Sequence, residues 1–580
     1  MNDTKKELPK GGSFLIEDAT PEQTLVPEDF TEELLAMKEA AEDFMKGEVT
    51  PQAARLEEHD LELLKSLVRQ AGELGLLSVD IDDEYGGLGL GLAVGALIIE
   101  AIGSGGSGSY ATTVGAHNGI GLWPILYFGN DEQKARYLPG IASGELVAAY
   151  ALTEPSSGSD ALSGKCKATL SEDSQHWIVN GEKTFITNAG IADVFTVLVK
   201  IDGDDKQTAC LIVDRDTPGL IIGPEEHKMG IRGSSTCSMI FDDAEVPVGN
   251  LLGEIGKGHR IVLNTLNLGR FKLGAGAVGG LKTAVTEAAQ YAAERQQFGR
   301  PLVKYDAIKA KLADMTVDTW VGESMVYRTA GLLHQSLEKA PDGDGRLGAI
   351  KEYTVECAMV KVALSEMLDR AVDEAVQIHG GYGFIEEYAV ARAYRDSRVN
   401  RIFEGTNEIN RMLTVGDLLK KAMKGLDLMG AANNIDEPKE SATPLRAALD
   451  GAKKATLYVL SQAALKHMMA LPKEQQILME LADMLIGVYA MESALLRLEK
   501  LAPEARSHTN APAIVGTFFD RTLWRLRQAA TVVLTSLHEG AEALEACGKA
   551  NNHLIQAPAD VIGLRRDIAA AVITANKYPF

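Results

Sequence analysis

The chain has 580 residues, a net charge of −23 and a pI of about 5.0. That acidity excludes a nucleic-acid backbone as partner, because phosphate binding needs a basic face; a polyanionic cofactor held by a few Arg residues and backbone N–H groups stays compatible with it. Hydrophobic residues make up 46% and charged residues 24%, the balance of a soluble globular protein of roughly three to five domains.

Residues 1–30 are polar and contain Pro, which predicts a loosely held arm. The opening run Met1-Asn2-Asp3-Thr4-Lys5-Lys6-Glu7 has neither an apolar signal core nor Arg-rich transit character, so a cytoplasmic protein is expected. No apolar run reaches membrane-spanning length. Residues 31–148 read as a helical domain. Leu34, Met37, Ala41 and Phe44 share one helix face, and Leu61, Leu64, Leu67, Val68 and Leu74 suggest a second. Breakers cluster at residues 85–89 and 103–108. Gly103-Ser104-Gly105-Gly106-Ser107-Gly108 fits G-x-G-x-x-G, but a dinucleotide fingerprint needs a preceding strand. Residues 92–102 look helical, so this run is an inter-helix loop.

Residues 149–257 change texture to short β-branched runs. His176-Trp177-Ile178-Val179, then Asn180-Gly181, then Lys183-Thr184-Phe185-Ile186-Thr187 predicts a hairpin with a type I′ turn. Residues 194–199, 209–213 and 237–241 read as further strands of a small antiparallel β domain. Residues 258–425 return to helical period, with small residues over 274–294 that permit close helix packing. Residues 426–445 look like a linker. Residues 446–580 form an additional helical domain, in which Ile477, Leu478, Leu481, Met484, Leu485, Val488 and Tyr489 mark a buried face. The five cysteines lie scattered without a CxxC and are expected as reduced thiols. The 11 histidines show no metal-ligand spacing, so no metal is expected. Walker A, HExxH and G-x-S-x-G motifs are absent from the sequence.

Several segments have the residue types that chemistry needs. Thr153-Glu154-Pro155 to Asp160 is rich in hydroxyls, with Gly158 allowing close backbone approach; alone it would pass for an ordinary Ser/Gly loop. Phe185 and Thr187 share a strand face and could stack on a ring and donate to its edge, or simply pack. Arg295, Gln296, Gln297 and Phe298 end a helix before Gly299. Gln377 to Gly383 is a Gly-rich turn between helices. Glu404 sits between Ile402-Phe403 and Gly405-Thr406, where apolar neighbours would desolvate a carboxylate and strengthen it as a base. It could equally be a surface Glu before a helix capped by Thr406 or Asn407.

Four segments, in order within residues 30–425, resemble the acyl-CoA dehydrogenase flavoprotein family. They are Tyr150-Ala151-Leu152-Thr153-Glu154-Pro155-Ser156-Ser157-Gly158-Ser159-Asp160; Asn180-Gly181-Glu182-Lys183-Thr184-Phe185-Ile186-Thr187-Asn188; Glu294-Arg295-Gln296-Gln297-Phe298-Gly299; and Gln377-Ile378-His379-Gly380-Gly381-Tyr382-Gly383-Phe384, continuing to Arg401–Arg411 with its run Arg401-Ile402-Phe403-Glu404-Gly405-Thr406-Asn407. The extra C-terminal region resembles the very-long-chain branch. The resemblance implies a mainly α fold with a central β-barrel domain, a helical bundle on either side and the additional helical domain. It implies FAD as cofactor and Glu404 as the catalytic base that takes the α-proton of an acyl-CoA, the β-hydride going to the flavin. Tyr150, Leu152, Thr153, Gly158 and Ser159 would line the flavin and thioester arm, with Ser159 also toward the substrate. Phe185, where Trp is commoner, and Thr187 would meet the isoalloxazine. Arg295, Phe298, Gln377 and Gly381 would serve the FAD of a neighbouring subunit, which implies a homodimer at least. Asp306 stands where the family often has Gln. Thr406 and Glu408 align with adenine-side contacts, and Asn267, Arg270, Phe403 and Gly405 with the substrate side. Some members place the base on another helix; the matching position here is Gly269, which cannot take a proton. A long acyl chain, an electron-transfer flavoprotein as acceptor and peripheral membrane contact complete the expectation. An acyl-CoA oxidase-like enzyme and a non-catalytic scaffold keeping the fold are the alternatives.

Overall fold

The computed structural model describes residues 8–341, 344–437, 439–508, 510–556 and 559–580. The first seven residues of the expected arm and residue 438 of the expected linker lie outside the described residues. The N-terminal helices begin where the chain supplies caps. The Thr31 hydroxyl accepts from the Leu34 N–H ahead of α1 (Glu32–Phe44), and Asp60 accepts from Leu63 ahead of α2 (Leu61–Glu73). Leu64, Leu67 and Val68 of α2 are buried, but Leu74 falls beyond the helix end and is exposed, because the chain turns at Gly75 with φ 73°. The Gly-rich run 103–108 does join two helices, α3 (Gly91–Gly103) and α4 (Gly108–Gly115), and α5 (Asp131–Ser143) precedes the sheet. The described part of the arm is not loose: Phe14 and Leu15 are buried, and the N–H groups of Gly11 and Gly12 donate to the Glu352 and Glu356 carboxylates. Two apolar side chains and these backbone hydrogen bonds dock a segment that is otherwise polar.

The central domain is one eight-stranded sheet, β1 (Ala148–Ala151), β2 (Lys167–Leu170), β3 (His176–Thr187), β4 (Val194–Ile201), β5 (Thr208–Asp214), β6 (Leu220–Glu225), β7 (Thr236–Pro247) and β8 (Leu251–Leu252). Its order is β6-β7-β3-β2-β4-β5-β8, with β1 parallel to β4 and β2 parallel to β4. The expected Asn180-Gly181 hairpin is absent. β3 runs straight through both residues and pairs with β7 on either side of them, with a register shift at Gly181. Gly181 is required there for another reason: its φ is 142°, and a Cβ would stand 2.8 Å from the Cα of Cys166. Asn180 exchanges hydrogen bonds with Asp243 across the bulge.

The helices after the sheet carry the rest. The 37-residue α6 (Gly258–Glu294) crosses α3 at van der Waals distance; a Cβ on Gly279 would stand 2.1 Å from the Glu100 carbonyl. It stops at Glu294 rather than beyond Arg295. Gln296–Gln297 and Arg300–Pro301 instead pair as a ribbon, turning at Phe298 and Gly299 with φ 51° and 78°. α7 (Asp306–Lys339), α8 (Asp344–Glu352), α9 (Thr354–His379), α10 (Ala389–Ser397) and α11 (Asn407–Met423) complete this bundle. The expected linker contains a short helix, Leu428–Asn433, with Leu428 and Ala432 buried. Beyond it, α12 (Pro444–His467), α13 (Gln475–Lys500), α14 (Ala511–Leu537), α15 (Gly540–His553) and α16 (Val561–Ala575) form the additional helical region. The seven residues expected to mark a buried face of α13 are all buried. Among the described residues no helix is long and apolar enough to cross a membrane, no disulfide forms and no cluster could hold a metal ion.

Candidate active site

A cavity of about 1360 Å³ opens between α3, α4, the edge of the sheet, α6 and the loop entering α11. Tyr150 on β1 and Leu152, Thr153, Gly158 and Ser159 in the loop after it line one wall. Phe185 and Thr187 line it from β3, where a second bulge gives Phe185 a φ of 57° and leaves it 63% exposed. Asn267 and Arg270 line it from α6, and Phe403, Glu404, Gly405 and Thr406 from the loop. Five expected site residues fall elsewhere. Arg295, Phe298, Gln377 and Gly381 are exposed outside the cavity, with the Arg295 guanidinium 5.3 Å from the Tyr382 ring. Glu408 is an exposed first-turn residue of α11.

Glu404 and Gly405 have φ of 57° and 81°, a left-handed pair that a non-Gly residue adopts only when its surroundings hold it. The hold is visible. Arg270 Nε donates to the Glu404 carbonyl at 3.0 Å, and its Nη1 to Asn267 Oδ1 at 2.7 Å. Lys361 Nζ donates to the Gly405 carbonyl at 2.8 Å and to Asn407 Oδ1 at 2.7 Å. Asn410 Nδ2 donates to the Gly405 carbonyl at 2.8 Å. Thr406 then caps α11 by accepting from Ile409. Three side chains thus grip the backbone carbonyls and leave the carboxylate itself ungripped. Glu404 Oε2 is buried with no hydrogen-bond partner among the described residues. Burial pushes the Glu404 carboxyl up to about 7, against the opposing pull of Arg270 and then Lys361. Burial likewise pushes the Lys361 ammonium down to about 7.

The site fits a flavin and a thioester in kind. Its wall offers an aromatic face at Phe185, hydroxyls at Thr153, Ser159, Thr187 and Thr406, and Gly158, where a Cβ would meet no atom within 4 Å. Tyr150 Oη and Glu404 Oε2 are buried polar atoms aimed at no protein partner among the described residues, and such atoms are uncommon without a ligand or water to satisfy them. Local sequence pattern does not point to Lys361 or Asn410 as site residues. The one signal for Lys361 is its place as a lone Lys inside Ala358-Met359-Val360-Lys361-Val362-Ala363-Leu364, a run too apolar for a solvated charge.

Comparison with known proteins follows the same division of the chain. Residues 31–145 match the acyl-CoA dehydrogenase N-terminal domain, 149–244 the middle domain and 256–418 the C-terminal domain of that family. Residues 451–545 match a further acyl-CoA dehydrogenase C-terminal domain. A probable acyl-CoA dehydrogenase of Bacillus subtilis is 45% identical over 591 residues, covering 99% of each chain. The human mitochondrial very long-chain specific acyl-CoA dehydrogenase is 34% identical over 515 residues, covering 81% of this chain and 76% of its own. The crystal structure of an acyl-CoA dehydrogenase complexed with FAD from Bacillus anthracis superposes with a TM-score of 0.95 at 44% identity, covering 99% of this chain and all of that one.

Proposed function

The chain belongs to the acyl-CoA dehydrogenase family, a FAD-dependent oxidoreductase by that membership, and from this premise we propose that Glu404 removes the α-proton of a long-chain acyl-CoA to give the trans-2-enoyl thioester. The observation that carries this is the buried, unpartnered Oε2 of Glu404 facing the cavity from a loop whose carbonyls are held by Arg270, Lys361 and Asn410. When bound, FAD supplies the hydride acceptor for the β-carbon. Thr153, Gly158, Ser159, Phe185, Thr187 and Thr406 would hold it, and Asn267, Arg270, Phe403 and Gly405 border the substrate side.

An α-proton is a weak acid, so the thioester oxygen must be polarised as charge develops. The Glu404 N–H makes no hydrogen bond among the described residues and is the donor this chain offers. Preorganised donors of this kind contribute about 3–4 kcal/mol each. The elevated carboxyl makes Glu404 a stronger base than a solvated carboxylate, while Arg270 and Lys361 keep enough of it ionised near neutral pH. Arg295, Phe298, Gln377 and Gly381 serve a second copy of the chain in this reading, which makes the working unit a dimer; an electron-transfer flavoprotein accepts the electrons. The long-chain assignment is supported by the additional helical region and its likeness to the very-long-chain relative.

The test is anaerobic bleaching of the visible flavin band by acyl-CoAs of graded length, on the native enzyme and on Glu404→Gln. Native enzyme is expected to bleach fastest with long chains, and Glu404→Gln to lose about 10²–10⁴-fold in rate. Bleaching at a normal rate in the variant overturns the assignment.

A further inference from the structure

One buried cation bordering the cavity has no part in the scheme above. Lys272 lies one helical turn from Gly269 on the same face of α6, is only 8% exposed and lines the cavity. Its ammonium makes no hydrogen bond to a carboxylate among the described residues. Nζ donates to the Asn118 carbonyl at 2.7 Å and to Asn118 Oδ1 at 2.5 Å, and sits 4.8 Å from the Trp123 ring centroid.

Asn118 belongs to a π-helical turn, Ala116–Gly121, that is broken in the middle. Asn118 has φ/ψ of −87°/15° and Gly119 −121°/−106°, outside the helical region. Insertions of this kind recur at functional sites, and a distorted turn persists only where its surroundings hold it. Two side chains hold this one. His117 accepts from the Ala148 N–H at Nδ1 and donates from Nε2 to the Ile141 carbonyl, each at 3.1 Å, and burial pushes its imidazole down to about 4, so it stays neutral. Lys272 holds the other end. Gly119 makes room for it: a Cβ there would stand 3.1 Å from Lys272 Cδ.

The residue that this turn delivers is Ile120. A Cβ on Gly269 would meet Glu404 Oε2 at 2.6 Å and Ile120 Cγ2 at 3.0 Å, so the isoleucine and the carboxylate converge on one spot of α6. Both line the cavity. We infer that Lys272 is a positioning residue, which clamps the Ala116–Gly121 turn so that Ile120 keeps water off the Glu404 carboxylate. The inference rests on the reading of Glu404 as the base. It explains why a buried ammonium is spent on a backbone carbonyl: the bond fixes a break in a helix, and the break places an apolar side chain.

The charged and titratable groups facing Glu404 are Arg270, Lys361 and Tyr150. Those facing Lys272 are Asp80 and His117. Lys272 therefore acts on Glu404 through hydration rather than through its own charge.

The deciding measurement follows the protonated Glu404 carboxyl in the substrate-free holoenzyme by infrared difference titration, the band being assigned by its absence in Glu404→Gln. A pH profile of flavin reduction by acyl-CoA runs in parallel. Lys272→Met is expected to lower the Glu404 titration by about one pH unit or more, toward a solvated carboxylate. Ile120→Ala, which leaves the clamp intact, is expected to lower it in the same direction. The double variant should move no further than the larger single shift, because both act through one contact. A titration unmoved in Ile120→Ala, or shifts that simply add, overturns the inference. If Lys272→Met does not fold with flavin, Asn118→Ala, which removes one of the two oxygens that Lys272 holds, takes its place, and a titration unmoved in either it or Ile120→Ala overturns the inference. Normal bleaching in Glu404→Gln would instead mean that the base assignment had failed.

Discussion

Gly269 leaves free the space that the Glu404 carboxylate occupies: a Cβ added to Gly269 would lie 2.6 Å from Glu404 Oε2. The two residues are 135 apart in sequence and come from α6 and from the loop entering α11. An empty side-chain position on one element thus makes room for the proposed base on the other. Gly269→Ala is expected to displace the carboxylate, which is the far end of a flexible side chain, and so to cost catalysis more than folding. A displacement on the order of 1 Å corresponds to about a 10²-fold loss in the rate of flavin reduction, with thermal stability changed by less than about 1 kcal/mol. Stopped-flow reduction and a melting curve measure the two separately; an unchanged rate would mean that Gly269 is not holding that space open.

The pH dependence follows from the same carboxylate. As the proposed base Glu404 acts in its ionised form, and burial pushes it up to about 7, so kcat/KM is expected to rise with pH through that region and then level. Lys361, pushed down to about 7 by burial, titrates in the same window, and the wild-type limb belongs to the pair. Lys361→Met removes a charge that lowers Glu404, so its limb should move to higher pH; movement to lower pH would contradict the assignment. Stability has the opposite sense. The folded carboxyl titrates above its unfolded value of 4.5, so its contribution is present below that value and lost as pH rises through about 7. Glu404→Gln should therefore be more stable than wild type at pH 8, by on the order of 1–3 kcal/mol, and the gap should close at pH 4. Denaturant midpoints at the two pH values test it.

Much of this site is readable in the sequence because its residues lie in contiguous runs. Glu404 is flanked by its own apolar neighbours and by the Gly and Thr that shape its loop, and the helix, sheet, helix layout follows from local period. What is not readable comes from distant contacts. Lys361 reaches Gly405 from 44 residues away and Lys272 reaches Asn118 from 154. Local signals can also mislead when a longer pairing outcompetes them. Asn180-Gly181 has the chemistry of a tight turn, yet β7 pairs with both flanks of β3 and turns the dipeptide into a bulge. The arm is held by a distant contact of the same kind, since Phe14 finds its partner in Tyr489, with ring centroids 5.2 Å apart.

A buried ionic network ties the arm, the two helical bundles and the additional region together. The Glu100 carboxylate accepts from Lys38 at 2.6 Å, Lys282 at 2.7 Å and the Tyr327 hydroxyl at 2.6 Å. Lys282 also bonds Glu323, which pairs with Arg497 of α13, and Arg497 reaches Glu28. Burial pushes Glu100 up, but Lys282 and Lys38 outweigh it and hold the carboxyl down at about 2. Its stabilisation is therefore present above the unfolded value of 4.5 and lost as pH falls toward 2. Glu100→Gln leaves two ammonium groups short of a counter-charge and is expected to cost roughly 3–5 kcal/mol at pH 7. It should also flatten the fall in stability between pH 4.5 and 2. Guanidinium melts across that range would show a wild-type slope in the variant if the network has no such role.

Arg295, Phe298, Gln377 and Gly381 present the remaining question, because the chain's own cavity does not include them. Phe298 is 94% exposed and Phe384, on the Gly380–Phe384 turn that follows Gln377, is 88% exposed. Exposed aromatic side chains beside an always-charged guanidinium suit a surface covered by another molecule rather than by water. If that molecule is a second copy, its FAD phosphates are the natural partners for Arg295. Arg295→Ala is then expected to purify with several-fold less FAD, although no residue of its own cavity has changed. Phe298→Asp is expected to lower the mass measured by light scattering, and to lose flavin along with the dimer. Full flavin occupancy in Arg295→Ala would confine cofactor binding to the single chain. In that event a role for these four residues in a shared FAD site would have to be abandoned, and the exposed aromatics would need a different partner.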